Sequence, residues 1–294
     1  MSTGWTIYVS FIVLLNIGGC LWLLAWTRKM PSKDDGDGTT GHSFDGITEY
    51  NNPLPRWWLW LFYLTIAFGL TYLALYPGLG GYPGILNWSS HGEHDKDQAA
   101  YEQQYGPIYA AYYQKPIEQL AKDPAAMQIG NRLFEVNCAA CHGSDAHGAR
   151  GFPNLTDKDW LHGGAPADIE SSILNGREGV MPDWGSKLGD QGVKQVANYV
   201  LSLSGRKVDP ALAAAGQALF VNCMPCHGAD AKGNIFIGAP NLTDTIWLYG
   251  GDEATVIKTI TNGRHGHMPA WGDTLGKERV HLLAAYIWSL SNSQ

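Results

Sequence analysis

Two five-residue motifs carry the chemistry legible in this chain of 294 residues: Cys138-Ala-Ala-Cys141-His142 and Cys223-Met-Pro-Cys226-His227. Two thiols three positions apart can each add to a vinyl group of one haem, and the adjoining His then sits beneath the iron as its proximal ligand. Zinc binding is a competing reading of paired cysteines, but it needs both pairs to converge. A redox dithiol is another, and neither explains a His directly after each second Cys. The motifs therefore predict two covalently bound haem c groups, one on Cys138 and Cys141 with His142 as axial iron ligand, the other on Cys223 and Cys226 with His227.

Each motif is followed about 40 residues later by Met-Pro-x-Trp, with Met181 and Met268 at matching places. A thioether opposite an imidazole is the ligand pair of electron-transfer cytochromes c, where it raises the potential. Met181 and Met268 are therefore the expected sixth ligands, and both irons would be closed to substrate, so no catalytic residue is expected. The equal separation favours Met181 with His142 and Met268 with His227, although two packed domains that exchange their Met-bearing loops would give the crossed arrangement. Met127 and Met224 lack this frame and read as packing residues.

Around these ligands, Arg177 and Arg264 occupy equivalent places and are candidates for haem propionate contacts; a structural hydrogen bond to a loop carbonyl is the alternative. His147, His162, His265 and His267 each lack a counterpart in the other copy and are not expected to be ligands. Trp184 and Trp271 are expected on the haem edge, or as plain core. The acidic residues after Lys33 have no metal-ligand spacing.

The elements that must position these groups begin with a membrane anchor. Residues 1–27 hold no charged side chain, and Trp5 to Trp26 is an apolar run of spanning length. Arg28 and Lys29 follow this run instead of preceding it, which argues against a cleaved signal. Trp57 to Tyr76 is a second run of spanning length. Arg28, Lys29, Lys33 and Arg56 all lie between the two runs, so the connection is expected in the cytoplasm and both outer ends in the periplasm. The connection, with Asp34-Asp35-Gly36-Asp37-Gly38 and Thr39-Thr40-Gly41, reads as mobile.

The remainder is a tandem repeat. Pro153-Asn-Leu-Thr-Asp157 recurs as Pro240-Asn-Leu-Thr-Asp244, Asn175-Gly-Arg177 as Asn262-Gly-Arg264, and Trp160 as Trp247, all at an offset of 87. The haem motifs are offset by 85, so two extra residues lie between Cys226 and Pro240. Such self-similarity means two homologous domains. The expected organisation is a transmembrane helix at 1–27, a cytoplasmic connection at 28–56, a second transmembrane helix at 57–77, a helical periplasmic linker at 78–124, and cytochrome c domains at 125–207 and 208–294. Within the domains, Gln128 to Asn137 and Leu212 to Asn222 read as helices entering the motifs, and Gln191 to Ser202 and Lys277 to Ser289 as closing helices. The fold class is mainly α. Tyr101, Tyr105, Tyr109, Tyr112 and Tyr113 in the linker suit either a partner subunit or the first domain.

Four of the five cysteines belong to the haem motifs, and Cys20 reads as a small buried hydrophobe in an apolar run. The formal charge is −7; residues 78–294 carry 16 Lys and Arg against 22 Asp and Glu, a net of −6. That balance disfavours nucleic-acid binding. It allows an acidic face that steers a basic donor, with ordinary solubility as the alternative.

The haem motifs, Pro-Asn-Leu, Asn-Gly-Arg and Met-Pro-x-Trp resemble tandem class I cytochromes c. The stretch Asp45-Gly-Ile-Thr-Glu-Tyr-Asn-Asn-Pro-Leu-Pro-Arg-Trp-Trp-Leu-Trp60 narrows this, because it resembles the dihaem c subunit III of cbb(3)-type cytochrome c oxidases. The resemblance runs from Asp45 onward; the first helix departs from members with a single anchor. It implies an electron carrier in the bacterial inner membrane, in the respiratory chain, that takes electrons from a donor cytochrome c or quinol-oxidising complex. These pass through a monohaem c subunit to the haem-copper subunit, which reduces oxygen to water and pumps protons. No oxygen-reducing site is expected in this chain itself. A cytochrome c subunit of a periplasmic dehydrogenase and a dihaem peroxidase are the alternatives, and the two Met-Pro motifs argue against the peroxidase.

Overall fold

The computed structural model describes residues 1–28, 39–50 and 53–292. Lys29, Lys33, Asp34 to Gly38, Asn51 and Asn52, which entered the reading of the connection, lie outside the described residues. The chain divides into two compact units, Met1–Gln103 and Gln104–Gln294.

In the first unit, α1 (Thr3–Thr27) and α2 (Arg56–Leu75) are long and apolar enough to cross a membrane. Their side chains stay largely uncovered within the chain, with Leu24 the buried residue of α1 and none in α2. A helix apolar all round and left uncovered belongs in lipid or against another membrane subunit. The start of α1 meets the turn that follows α2, where the Gly81 N–H donates to Thr6 Oγ1 at 3.1 Å. The two helices therefore begin and end on the same side. Between them, β1 (Thr39–Phe44) and β2 (Ile47–Tyr50) form an antiparallel hairpin. This corrects the expectation of a mobile segment at Thr39-Thr40-Gly41. Asp45 and Gly46 turn the hairpin with φ of 49° and 82°, the left-handed pair that a two-residue turn requires. Helix α3 (Ser90–Tyr113) crosses the boundary between the units.

The second unit holds α4 (Ile117–Leu120), α5 (Pro124–Asn137), α6 (Ala139–His142), α7 (Pro166–Asn175), β3 (Arg177–Met181) and α8 (Gly185–Leu203). The second repeat follows with α9 (Pro210–Leu219), a 3-10 turn at Phe220–Asn222, α10 (Met224–His227), α11 (Glu253–Asn262), β4 (Arg264–Met268), α12 (Gly272–Leu275) and α13 (Lys277–Asn292). Both opening helices start at Asp-Pro-Ala. Asp123 Oδ1 accepts from the N–H groups of Ala125 and Ala126, and Asp209 Oδ1 from those of Ala211 and Leu212, so each carboxylate caps N–H groups that the helix leaves unpaired. The caps lengthen both helices towards the N-terminus relative to the apolar periodicity. In α8, Gly189 breaks the helix at φ 67°, ψ 168°, just before the expected start at Gln191.

The sequence repeats and the packed cores do not coincide. One core joins Phe134 and Cys138 of the first repeat to Leu275, Val280, Leu282 and Leu283 of the second. The other joins Val193, Val196 and Leu201 of the first repeat to Phe220, Val256 and Ile260 of the second. Thus α13, which closes the second repeat, packs on α5, and α8, which closes the first, packs on α9. Glycines permit both crossings. A Cβ at Gly130 would lie 2.5 Å from Tyr286 Cβ, and one at Gly216 would run into the Gln195 carbonyl. Buried polar side chains tie the same elements: Asn198 Nδ2 donates to Glu253 Oε1 at 2.9 Å and Asn198 Oδ1 accepts from Asp209 N at 3.2 Å. In the other core, His281 bridges Glu170 Oε1 (2.9 Å) and the Lys115 carbonyl (2.8 Å).

Gly216→Ala is expected to lower the stability of the second unit by about 1–3 kcal/mol, because the α8–α9 crossing must open to admit the methyl group. Urea unfolding measures this, with Gly179→Ala as control, since a Cβ there meets nothing within 4 Å. Equal midpoints for the two variants would contradict the close crossing.

Candidate haem sites

Each Cys-x-x-Cys-His motif runs directly on from its opening helix into a single turn, α6 or α10, that ends at a glycine with positive φ, Gly143 (79°) and Gly228 (81°). The turn presents the first thiol inward and the second outward: Cys138 is buried, Cys223 half-buried, and Cys141 and Cys226 are exposed. Burial, and then the neighbouring Cys141, pushes the Cys138 thiol up to about 11; burial raises Cys223 likewise, with Cys226 adding to it. A redox dithiol needs the opposite shift, a stabilised thiolate. The two pairs do not converge either. Cys138 belongs to one core and Cys223 to the other, and among the described residues no three His, Cys, Asp or Glu side chains gather to hold a metal.

The two imidazoles are held alike. His142 Nδ1 lies 3.0 Å from the Pro153 carbonyl, and His227 Nδ1 lies 3.0 Å from the Pro240 carbonyl. A carbonyl only accepts, so in each ring Nδ1 carries the proton and Nε2 presents its lone pair, as a metal ligand must. Burial also holds the His227 pKa below its ordinary value, with the Pro240 bond opposing that shift. The loops that deliver these carbonyls are duplicated. The N–H groups of Gly148 and Gly233 donate to the carbonyls of His142 and His227, and Asn154 and Asn241 accept from the next-but-one Thr at 2.8–2.9 Å.

The methionines sit on a two-stranded ribbon shared by the repeats. Strands β3 and β4 pair antiparallel with Arg177 opposite Met268, Gly179 opposite Gly266 and Met181 opposite Arg264. The ribbon sends each Met into the core of the other repeat's motif. Met268 and Trp271 pack with Phe134 and Cys138, while Met181 and Trp184 pack with Phe220 and Cys223. Core membership thus groups each Met with the other repeat's motif, the crossed arrangement. Backbone bonds repeat the exchange, from Trp271 N to the Ile173 carbonyl (2.9 Å) and from Trp184 N to the Ile260 carbonyl (3.0 Å). The glycine of each Asn-Gly-Arg has its reason here. At Gly176 (φ 69°) a Cβ would strike the Met268 carbonyl, and at Gly263 (φ 69°) the Met181 carbonyl.

Arg177 donates from Nε to Ser172 Oγ at 2.9 Å and from Nη2 to the Asp168 carbonyl at 3.4 Å. Arg264 donates to Thr259 Oγ1, and its guanidinium lies over the Tyr249 ring at 4.2 Å. Both are anchored to the helix before their strand. His147 pairs with Asp145, and His265 with Glu178 across the ribbon. Met127 packs on the first core and Met224 is at the surface. The Pro153 and Pro240 carbonyls were not singled out from sequence, although their Pro-Asn-Leu frame marks them.

The residues fit haem. Trp247 Nε1 is buried with no hydrogen-bond partner among the described residues. An N–H left so costs about 1–3 kcal/mol, and a propionate carboxylate would accept from it.

Two apolar cores, each with a thiol pair, an imidazole held by a carbonyl and a methionine packed against it, define the class: tandem cytochrome c domains that carry haem c, preceded by helices able to span a membrane. Residues 36–83 match the N-terminal domain of cytochrome oxidase-cbb3, FixP, and residues 125–200 and 211–287 match cytochrome c oxidase, cbb3-type, subunit III. The cbb3-type cytochrome c oxidase subunit CcoP of Rubrivivax gelatinosus is 48% identical over 99% of this chain and 96% of its own length. FixP of Azorhizobium caulinodans is 42% identical over 88% of this chain and 94% of its own, and CcoP of Cereibacter sphaeroides 40% over 91% and 98%. The chain belongs to this family, the CcoP and FixP subunits of cbb3-type cytochrome c oxidases. The alignment with the Rubrivivax protein spans nearly the whole chain, so the first helix sets this chain less apart than expected.

In haem-free protein, alkylation near pH 8 is expected to modify Cys141 well ahead of Cys138, of which about one molecule in a thousand is thiolate three units below its pKa. The Cys138 rate should climb as pH rises towards 11, read by mass spectrometry; equal rates at pH 8 would contradict its burial.

Proposed function

We propose that this chain is the dihaem c electron-transfer subunit of a cbb3-type oxidase, with one haem on Cys138, Cys141 and His142 and the other on Cys223, Cys226 and His227. Each bound haem supplies a one-electron couple. The chain's own residues would set its conditions: Cys138, Cys141, Cys223 and Cys226 would tether it, the Pro153 and Pro240 carbonyls hold the imidazoles of His142 and His227, and Met268 and Met181 would supply the second ligand to the first and second motif respectively. Arg177 and Arg264 offer positive charge towards the propionates. Six-coordinate iron with Met opposite His transfers electrons and leaves no position for oxygen or peroxide. The observation that supports the reading is that each core groups one motif, whose imidazole a carbonyl holds, with one Met. It favours a carrier over a peroxidase.

Electrons would come from a donor cytochrome c or a quinol-oxidising complex and leave through a monohaem c subunit for the haem-copper subunit, where oxygen is reduced and protons are pumped. Membership of the oxidase family supports these partners over those of a periplasmic dehydrogenase. Arg28 and Arg56 flank the segment between α1 and α2, and Lys29 and Lys33 lie within it. The excess of basic residues there supports a cytoplasmic connection and periplasmic haem domains in the bacterial inner membrane.

In a Cys223→Ala/Cys226→Ala background, which retains the haem of Cys138, Met268→Ala should convert that haem from low-spin six-coordinate to a species with altered coordination. Met181→Ala should leave its spectrum unchanged. The reverse result would restore in-domain pairing. Purification of the tagged chain from membranes should yield two haems c per chain together with the haem-copper subunit. Co-isolation with a quinoprotein dehydrogenase and no haem-copper subunit would sink the assignment.

A further inference from the structure

The two repeats pack about a pseudo-twofold relation, and one pair of equivalent places breaks it. Position 162 of the first repeat corresponds to 249 of the second, and each ring rests on a glycine of the opposite repeat. Tyr249 lies against Gly151, and the His162 ring against Gly238, where a Cβ would be 2.5 Å from Nε2. An arginine attends each as well: Arg264 covers Tyr249, and the charge of Arg177 acts on His162. The same place thus holds a phenol in one copy and an imidazole in the other.

The imidazole is half satisfied. Its Nδ1 is buried with no hydrogen-bond partner among the described residues. An unpartnered Nδ1 is a bare lone pair in one neutral tautomer and an N–H donor in the protonated ring. Burial first, then the Arg177 charge, hold the ring towards the neutral form, against the Ile235 bond. Arg177 is the charged group acting on it; the facing loop offers Gly238 and the Ile235 carbonyl, neither of which titrates.

A buried nitrogen that becomes a donor once the ring is protonated, within the field of the Arg177 charge, is a place where an anion favours the proton, and the neighbouring segments say which anion. His162 follows Trp160, which packs in the core of Cys138 and Met268. It faces the loop that leads to Pro240, whose carbonyl holds His227. The imidazole therefore stands at the junction of the two haem sites, and the anionic groups of haem c are its propionates. We propose that His162 Nδ1 pairs with a haem propionate at this junction and that His162 takes up a proton when the adjoining haem is reduced.

The balance is one proton from solvent for each electron delivered by the donor. Reduction removes one positive charge from the iron centre, so His162 holds its proton more tightly beside the reduced haem and releases it on oxidation. The linkage has a definite sign: a protonated His162 favours the reduced state, so that haem's potential falls as pH rises. Tyr249 gives the other place no imidazole to do this. The inference rests on the dihaem reading.

Spectroelectrochemical titration of the purified full chain from about pH 5 to 8, the range in which imidazoles titrate, tests it. One of the two midpoint potentials should fall with pH, by up to tenfold in electron affinity per pH unit, or about 59 mV for one electron. His162→Gln, which keeps a polar side chain but does not titrate, should abolish that slope while both haems stay low-spin; His162→Tyr should do the same. The Cys223→Ala/Cys226→Ala background assigns the propionate, because a slope retained there belongs to the haem of Cys138 and a slope lost belongs to the other. Two haems with an undiminished slope in both variants, or with no slope in the parent chain, would overturn the inference. A haem count of one in the parent chain would instead defeat the dihaem reading.

Discussion

Hydrogen bonds between two five-residue strands decide which core each methionine packs against. A two-stranded ribbon is marginal alone, and this one is held by what lies at its ends: Gly176 and Gly263, where the backbone of each repeat closes on the Met carbonyl of the other. Once Arg177 is opposite Met268 and Met181 opposite Arg264, the chain after each Met can only continue into the opposite core. Trp184, Trp271 and the closing helices α8 and α13 follow from that.

Exchange suits domains this small. A cytochrome domain of fewer than a hundred residues buries a modest apolar surface, and each large side chain fully withdrawn from water contributes about 1.5–3 kcal/mol. Phe134 and Phe220, equivalent in the repeats and fully buried, lie in cores completed by residues of the other repeat. Neither repeat therefore has a core of its own. The polar ties have the same character, since Asn198 and Glu253, like His281 and Glu170, come from different repeats. Stability and the placement of the methionines share one set of contacts.

Much of this was written plainly in the chain. The haem motifs, the repeat, the apolar anchors and the closing helices follow from spacing and periodicity, and Asp-Pro-Ala marks the start of both opening helices. The crossing was not legible, because the separation from His to Met is nearly the same in both copies and says nothing about which partner a strand finds. Pairing of β3 with β4 joins residues 83 to 91 positions apart through backbone groups, and no side-chain pattern announces it. Phe44-Asp-Gly-Ile47 carries the turn dipeptide of the hairpin at Thr39, but the polar Gly-rich run before it has the composition of a loop. Length differences between copies were absorbed locally. The second repeat has one residue fewer between its buried Phe and its first Cys, which tightens α9 into a 3-10 turn at Phe220–Asn222, and its two extra residues lie before Pro240, where Asn234 bridges to Ala239.

The packing of α13 on α5 also sets an order of events at the ribosome. Helix α5 is made early, and every element from α6 to α12 must be synthesised before its partner exists, a wait on the order of ten seconds at ~5–20 residues per second. During that interval the core around Phe134 and Cys138 lacks the α13 residues that complete it. The other core meets its α8 already made when α9 emerges, so the core begun first is the one finished last.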